Sequence, residues 1–233
     1  AWTLASGQTT IDAVAVDPNT PATIYAAGSD HIYQTTNGGT SWSELAQSIG
    51  TSGVIAIAKT NPSTAYVGSS TGLIYSTTGG SSWSNPTSAP GTGAVYALIV
   101  DPNNAATAYA GTPTGVYKTT NGGAVWSAVN TGLPGAIVTS LAINSLTSTI
   151  YAATPLGLFY TTNAGSSWTQ AILGNVASTP MLVAVDAGNN VYVAFEGAGI
   201  AIGTAGGTQQ SDWSSLTYNG LTHNQILALA VPP

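Results

Sequence analysis

Few residues in this chain are equipped for chemistry: eight carboxylates, two lysines and two histidines are spread over 233 residues, with no cysteine. Asp12, Asp30, His31, Glu196 and His223 lie toward the two ends of the sequence. Hard cations want several carboxylates and carbonyls, and histidine adds affinity for transition metals. These five residues are therefore a tentative ligand face for a cation or a sugar. Their spacing is not that of a tight ligand set, so solvated loop charges are the favoured reading, and no metal or other cofactor is expected. Glycoside hydrolysis needs two carboxyl groups about 5–10 Å apart, one held protonated, and the remaining acids support such a pair only thinly. Neither histidine has a serine or cysteine nucleophile motif beside it, which leaves triad catalysis without support. Asp17, Asp101 and Asp186 occur in turn sequences such as Asp-Pro-Asn and read as turn caps.

The elements that position these residues follow from composition and period. Charged residues make up 4% of the chain, far below the ~25% of ordinary soluble domains, while the apolar fraction of 43% is normal. Thr, Ser, Asn and Gly must hydrate the surface, and a net charge of −6 spread this thinly opposes self-association weakly. Lys59 and Lys118 are the only basic side chains apart from histidine, so no phosphate-binding track can be built and nucleic acid is excluded as a partner. No apolar run approaches the ~18 residues of a membrane span, and membrane insertion is not expected. Depletion of Lys and Glu predicts an exported protein, extracellular or at the cell surface, with its targeting segment removed.

Tryptophans 2, 42, 83, 126, 168 and 213 recur every 40 to 45 residues, the length of one propeller blade. A first strand and turn share this phase in Ala13–Pro18, Ala56–Pro62, Ala97–Pro102 and Leu141–Ser145. Second strands follow at Ile24–Ala27, Ala65–Gly68, Ala108–Gly111, Ile150–Ala153 and Val191–Ala194, where β-branched and aromatic residues alternate with small ones. Third strands at His31–Thr36, Leu73–Thr78, Gly115–Thr120 and Leu158–Thr162 lead through a Gly-rich turn into the Trp strand. No helical period is sustained. Tyr25, Tyr33, Tyr66, Tyr75, Tyr109, Tyr117, Tyr151, Tyr160 and Tyr192 keep blade phase and read as packing between blades. The fold class is all-β: a propeller of four-stranded blades in one domain over residues 1–233, because such sheets bury both faces only by packing on one another.

The turn before each Trp is specific enough to name a family. Thr35-Thr36-Asn37-Gly38-Gly39-Thr40-Ser41-Trp42 recurs at Ser76–Trp83, Thr119–Trp126 and Thr161–Trp168, with a longer, degenerate copy at Gly203–Trp213. These resemble the Asp-box, or BNR, repeat, with Asn37, Asn121 and Asn163 in the Asp position and Thr78 there once. The resemblance implies a structural turn: the Asx side chain accepts backbone N–H bonds, Gly supplies positive φ, and Trp42, Trp83, Trp126, Trp168 and Trp213 wedge between blades. Relatives implied by it include sialidases, sortilin-like receptors, xyloglucan-hydrolysing enzymes and a photosystem assembly factor. Sialidases hold the substrate carboxylate with an arginine cluster, which an arginine-free chain lacks.

Trp2–Leu4 matches a fourth strand and Gln225–Pro232 a first strand, so five complete repeats carry one extra strand at each end, compatible with five or six blades. Uncharged strands left on an edge invite pairing. The leading expectation is accordingly a non-enzymatic structural or interaction protein, a subunit of a surface layer or filament that forms head-to-tail homo-oligomers. A glycan- or protein-binding module is the alternative, and a glycoside hydrolase stands third.

Overall fold

A computed structural model describes residues 10–28, 31–47, 50–91, 93–173, 178–204, 206–209, 213–214 and 226–230. Every regular element in it is a strand. Strands β1 (Ala13–Val16), β2 (Ile24–Gly28), β3 (His31–Thr35) and β4 (Ser43–Gln47) form a first antiparallel meander. A second contains β5 (Ser52–Ile57), β6 (Ala65–Ser69) and β7 (Leu73–Ser76). The third is β8 (Ala97–Asp101), β9 (Asn104–Thr112), β10 (Gly115–Thr119) and β11 (Ser127–Ala128), and the fourth β12 (Ser140–Ile143), β13 (Ile150–Thr154), β14 (Gly157–Thr161) and β15 (Thr169–Gln170). The fifth is β16 (Pro180–Val185), β17 (Val191–Phe195), β18 (Gly199–Gly203) and β19 (Trp213–Ser214). These are the blades of a β-propeller fold.

Four sheets have four strands and the second has three, because Trp83 is followed by Asn85-Pro86 and the fourth strand shrinks to a single bridge between Ser84 and Tyr75. Of the extra strand expected over 225–232, residues 226–230 are described and lie in no strand; the one expected at Trp2–Leu4 is outside the described residues. By contact the chain divides into two compact units, residues 1–113 with 117–128 and residues 114–116 with 129–233.

Second strands carry the core. β2, β6 and β13 are buried along their whole length, and β6 meets a sheet on each face, through Val67 on one and Tyr66 on the other. In the first unit, Ala27 and Ile32 pack with Val67 and Ile74, and Tyr66 and Leu73 with Ala108, Ala110 and Trp126. In the second, Tyr151 and Leu158 pack with Val191, Val193 and Phe195. Tyr25, Tyr66, Tyr109 and Tyr151, one in each of the first four repeats, are among the largest fully buried side chains, and burying a large side chain contributes about 1.5–3 kcal/mol. Their hydroxyls reach for main chain: Tyr66 Oη donates to Ala105 O at 3.2 Å and Tyr151 Oη to Gly206 O at 2.7 Å.

Trp126 and Trp168 are buried, at 2% and 5% exposure, and donate Nε1–H to Gly123 O and Val129 O. Trp126 also meets Tyr66 edge to face, with ring centroids 5.9 Å apart. Trp42, Trp83 and Trp213 are only partly buried. Trp83 packs against the cluster of Ile32, Val67 and Ile74, but its buried Nε1–H has no partner among the described residues.

Ala164 has φ +57°, in the position where the other boxes place Gly38, Gly79 and Gly122 at +69°, +67° and +72°. A left-handed backbone costs a residue with a Cβ about 1–2 kcal/mol, part of which glycine loses again through unfolded-state entropy. Ala164→Gly is expected to stabilise the chain by about 0.5–1 kcal/mol in urea titration, and a destabilised variant would contradict this reading.

Candidate functional site

Each blade has two ends of different chemistry. At one lie the turns from first to second strand and from third to fourth, and both are closed by their own side chains. In the boxes, the opening hydroxyl is buried and accepts an amide four residues on: Thr35 from Gly39 at 3.0 Å, Ser76 from Gly80 at 3.0 Å, Thr119 from Gly123 at 3.1 Å and Thr161 from Gly165 at 3.1 Å. The same hydroxyl donates to the Asx oxygen in three boxes, Thr35 to Asn37, Thr119 to Asn121 and Thr161 to Asn163. That oxygen in turn accepts the N–H of Ser41, Val125 or Ser167 at 2.9–3.0 Å. Thr78 does this work with its hydroxyl, accepting from Ser82 N at 2.9 Å. Asn37 and Asn163 spend their amide donors on Ser41 Oγ and Ser167 Oγ, an extra bond that a carboxylate would not supply. Sequence reasoning singled out the Asx positions; the opening Ser or Thr is the more deeply buried partner, at 1–2% exposure.

The first-to-second strand turns repeat the logic. Asp17 Oδ1 accepts from Asn19 N and Thr20 N, and Asp101 Oδ1 from Asn103 N. Asn144 Oδ1 accepts from Leu146 N and Thr147 N, while its amide donates to Asn189 Oδ1 at 2.7 Å. Asp186 accepts from both the side chain and the backbone of Asn190 at 2.8 Å, and from Tyr192 Oη at 3.0 Å. Those donors, Asn190 first, hold its carboxyl below the ordinary range, and the same contact raises the Tyr192 phenol. Carboxylates engaged in this way are turn locks.

At the opposite blade end sit Asp12, His31 and Glu196 of the residues proposed as a ligand face. Asp12 is exposed, its N–H bonded to Ala27 O just before the Ala13–Ala27 pair, and His31 pairs with Gly28 where β2 turns into β3. Both therefore occupy the same end of the first sheet. Glu196 occupies the equivalent end of the fifth sheet, in the β17–β18 turn, with its N–H on Thr179 O and its carbonyl accepting from Ser178 Oγ. Asp12 and His31 belong to one compact unit and Glu196 to the other. Asp30 and His223 lie outside the described residues. One acid not picked from the sequence joins this group: Glu44 Oε1 is 3.8 Å from His31 Nε2, both side chains being partly exposed, and His31 stacks at 6.1 Å on Tyr33. The pairing arises because Tyr33 lies opposite Glu44 across a bulge in the β3–β4 ladder, a register invisible before the strands are aligned. Among the described residues, no three His, Cys, Asp or Glu side chains are grouped to hold a metal ion.

A second feature of this end comes from Pro86. Three residues after the tryptophan, Val129 N–H donates to Val116 O in the third blade and Ala171 N–H to Leu158 O in the fourth, both at 2.9 Å. Leu73 is the matching acceptor in the second blade, and its donor would be Pro86, which has no N–H. The ladder stops at Tyr75–Ser84, and the chain moves on to the third blade, where Thr87 N donates to Ala124 O and Ser88 O accepts from Trp126 N. Between the departing segment and β7 a cleft of about 210 Å³ opens, lined by Ser69, Thr71, Gly72, Leu73, Ile74, Asn85, Pro86 and Ala89. Among the described residues, no titratable side chain lines it.

Solved structures of similar fold include an ancestral GH74 enzyme, 22% identical with a TM-score of 0.72 over 88% of this chain and 32% of that one. YCF48 bound to D1 peptide is 16% identical with a TM-score of 0.66 over 89% of this chain and 66% of that one. YCF48 from Cyanidioschyzon merolae is 17% identical with a TM-score of 0.65, covering 88% and 70%. The chain thus spans about a third of the GH74 enzyme and about two thirds of the YCF48 chains, and at these identities the likeness is one of fold. No curated protein sequence matches it. A family model described as photosynthesis system II assembly factor YCF48 matches residues 51–221, nearly three quarters of the sequence, and the chain belongs to that family.

Proposed function

We propose that this chain is a non-enzymatic propeller module that binds a protein partner through an extended segment of that partner. The observation that carries the reading is family membership over residues 51–221, alongside a structural neighbour solved with a bound peptide. The chemistry of the acids and of the cleft supports it. Asp17, Asp101 and Asp186 are occupied in turns, and the cleft beside β7 offers hydroxyls, an amide and main chain rather than acids. An exported or cell-surface setting is in keeping with the scarcity of Lys and Glu.

An array of overlapping uncharged and basic peptides, read beside a reducing-sugar assay on xyloglucan, tests this. Saturable binding of a subset of peptides by the folded chain, lost on heat unfolding, is the expected result. Sugar release that disappears in Glu44→Gln or Asp12→Asn would replace the module with a hydrolase.

A second reading, head-to-tail self-assembly as a structural subunit, is favoured by one observation: Val14 and Val16 on β1 are 56% and 50% exposed, an apolar face of the first blade. Light scattering on the intact chain and on Val14→Lys/Val16→Lys decides it. Oligomers that dissociate in the variant support assembly, and a monomer at every concentration rejects it.

A further inference from the structure

We propose that the cleft beside β7 is a binding site for one or two residues of an extended, uncharged peptide, whose main-chain N–H satisfies the Leu73 carbonyl, to which Pro86 offers no N–H. This rests on the protein-binding reading above and assigns it a place and a mode of recognition.

Two independent features converge there. The first is the broken ladder. Alternation along β6–β7, anchored by the Ser69 N–H to Gly72 O bond and by the outward exchange between Tyr75 and Ser84, points the N–H and C=O of Leu73 away from β6 toward the missing fourth strand. An edge with open main-chain groups is a template for a further strand. The second is room. The cleft lies against this edge, and its volume of about 210 Å³ is below the ~300 Å³ at which pockets take whole small molecules, so it suits a short stretch of peptide.

The lining selects the occupant. Leu73, Ile74, Pro86 and Ala89 give apolar walls, Ser69, Thr71 and Asn85 give neutral hydrogen-bonding groups, and none of the described lining residues would neutralise a charge. A charged side chain would be desolvated there without a partner. In the fourth blade the equivalent carbonyl, Leu158 O, is already served by Ala171 N–H of the chain itself. The segment around Ala171 therefore shows what the open edge of the second blade takes: an extended, uncharged strand with a small residue at the paired position.

The test uses that segment as probe. A fluorescently labelled peptide of residues 169–172, Thr-Gln-Ala-Ile, is titrated by anisotropy into the full chain, beside the same peptide N-methylated at alanine. N-methylation keeps the side chains and removes the donor, and leaving a buried acceptor unpaired is expected to weaken binding about tenfold. Pro86→Ala restores an N–H at the position that serves the equivalent carbonyl in the third and fourth blades, which lets the chain's own segment compete for Leu73 O, and it is expected to weaken binding by up to a similar factor. Ala89→Trp fills the cleft and is expected to abolish binding while the melting temperature stays within a few degrees of the parent. Equal affinity of the methylated peptide, undiminished binding to Ala89→Trp, absence of binding to the parent chain, or saturation of the cleft by a xyloglucan oligosaccharide would each overturn the assignment. Array peptides that still bind Ala89→Trp would reject this cleft and leave the protein-binding reading intact.

Discussion

Gly123→Ala is expected to destabilise the protein by about 3 kcal/mol or more, whereas Gly122→Ala next to it should cost only about 1 kcal/mol. Both glycines have positive φ, +72° at 122 and +102° at 123, so each variant carries a backbone cost. Space separates them. A Cβ on Gly122 meets nothing closer than Thr77 Cγ2 at 3.6 Å, an ordinary contact. On Gly123 it falls 2.7 Å from Tyr75 Cγ, 2.9 Å from Tyr75 Cβ and 2.9 Å from Tyr66 Cε1. Tyr66 is completely buried and cannot swing away, so the box turn of the third blade would be pushed off the second. Urea unfolding of the two variants checks the difference. Equal losses would mean that the turn does not seat against Tyr66.

Loss of stability above pH 10 is the second large effect expected, and the buried tyrosines cause it. Burial holds the Tyr109 phenol up at about 12, with Asp101 adding to the effect, and raises Tyr66 further still. Tyr25 is also raised, by burial and by Asp17 against the lowering bond from Gln34. A pKa raised in the folded state gives stability that is complete below the unfolded value of about 10 and drains away as pH climbs toward the folded value. The sensitive window therefore opens at about pH 10 and extends past 12. Each ionising tyrosine removes at most about 1.4 kcal/mol per pH unit. Melting temperature should fall steeply in this range, and phenolate absorbance should rise together with the loss of β-sheet circular dichroism. Tyr66→Phe keeps the ring but removes the ionising group, so it should shift the alkaline midpoint upward at a cost of about 1 kcal/mol near neutrality from the lost bond to Ala105 O. Phenolate appearing well before unfolding would show that these hydroxyls ionise inside the fold.

The sequence alone determined the all-β class, the blade period, the box turns and the tyrosine phase, because each is local or periodic. A Thr-x-Asn-Gly-Gly stretch closes on itself through side chain to backbone bonds that span no more than four residues. Apolar alternation in the second strand needs only the pleat to be read. The turn roles of Asp17, Asp101 and Asp186 were equally legible, since their acceptors' partners lie within six residues.

What the tertiary structure decided depends on strands far apart in sequence. Glu44 meets His31 only because the β3–β4 ladder carries a bulge that sets Tyr33 opposite Glu44. Asn144 reaches Asn189 across 45 positions, from one blade to the next. Pro86 is visible in the sequence, yet its consequence is not: only the alignment of the third and fourth blades reveals that the N–H it lacks is the one Leu73 O requires. A missing donor has meaning once the acceptor's place is known, and that place is set by packing between strands rather than by the residues beside Pro86.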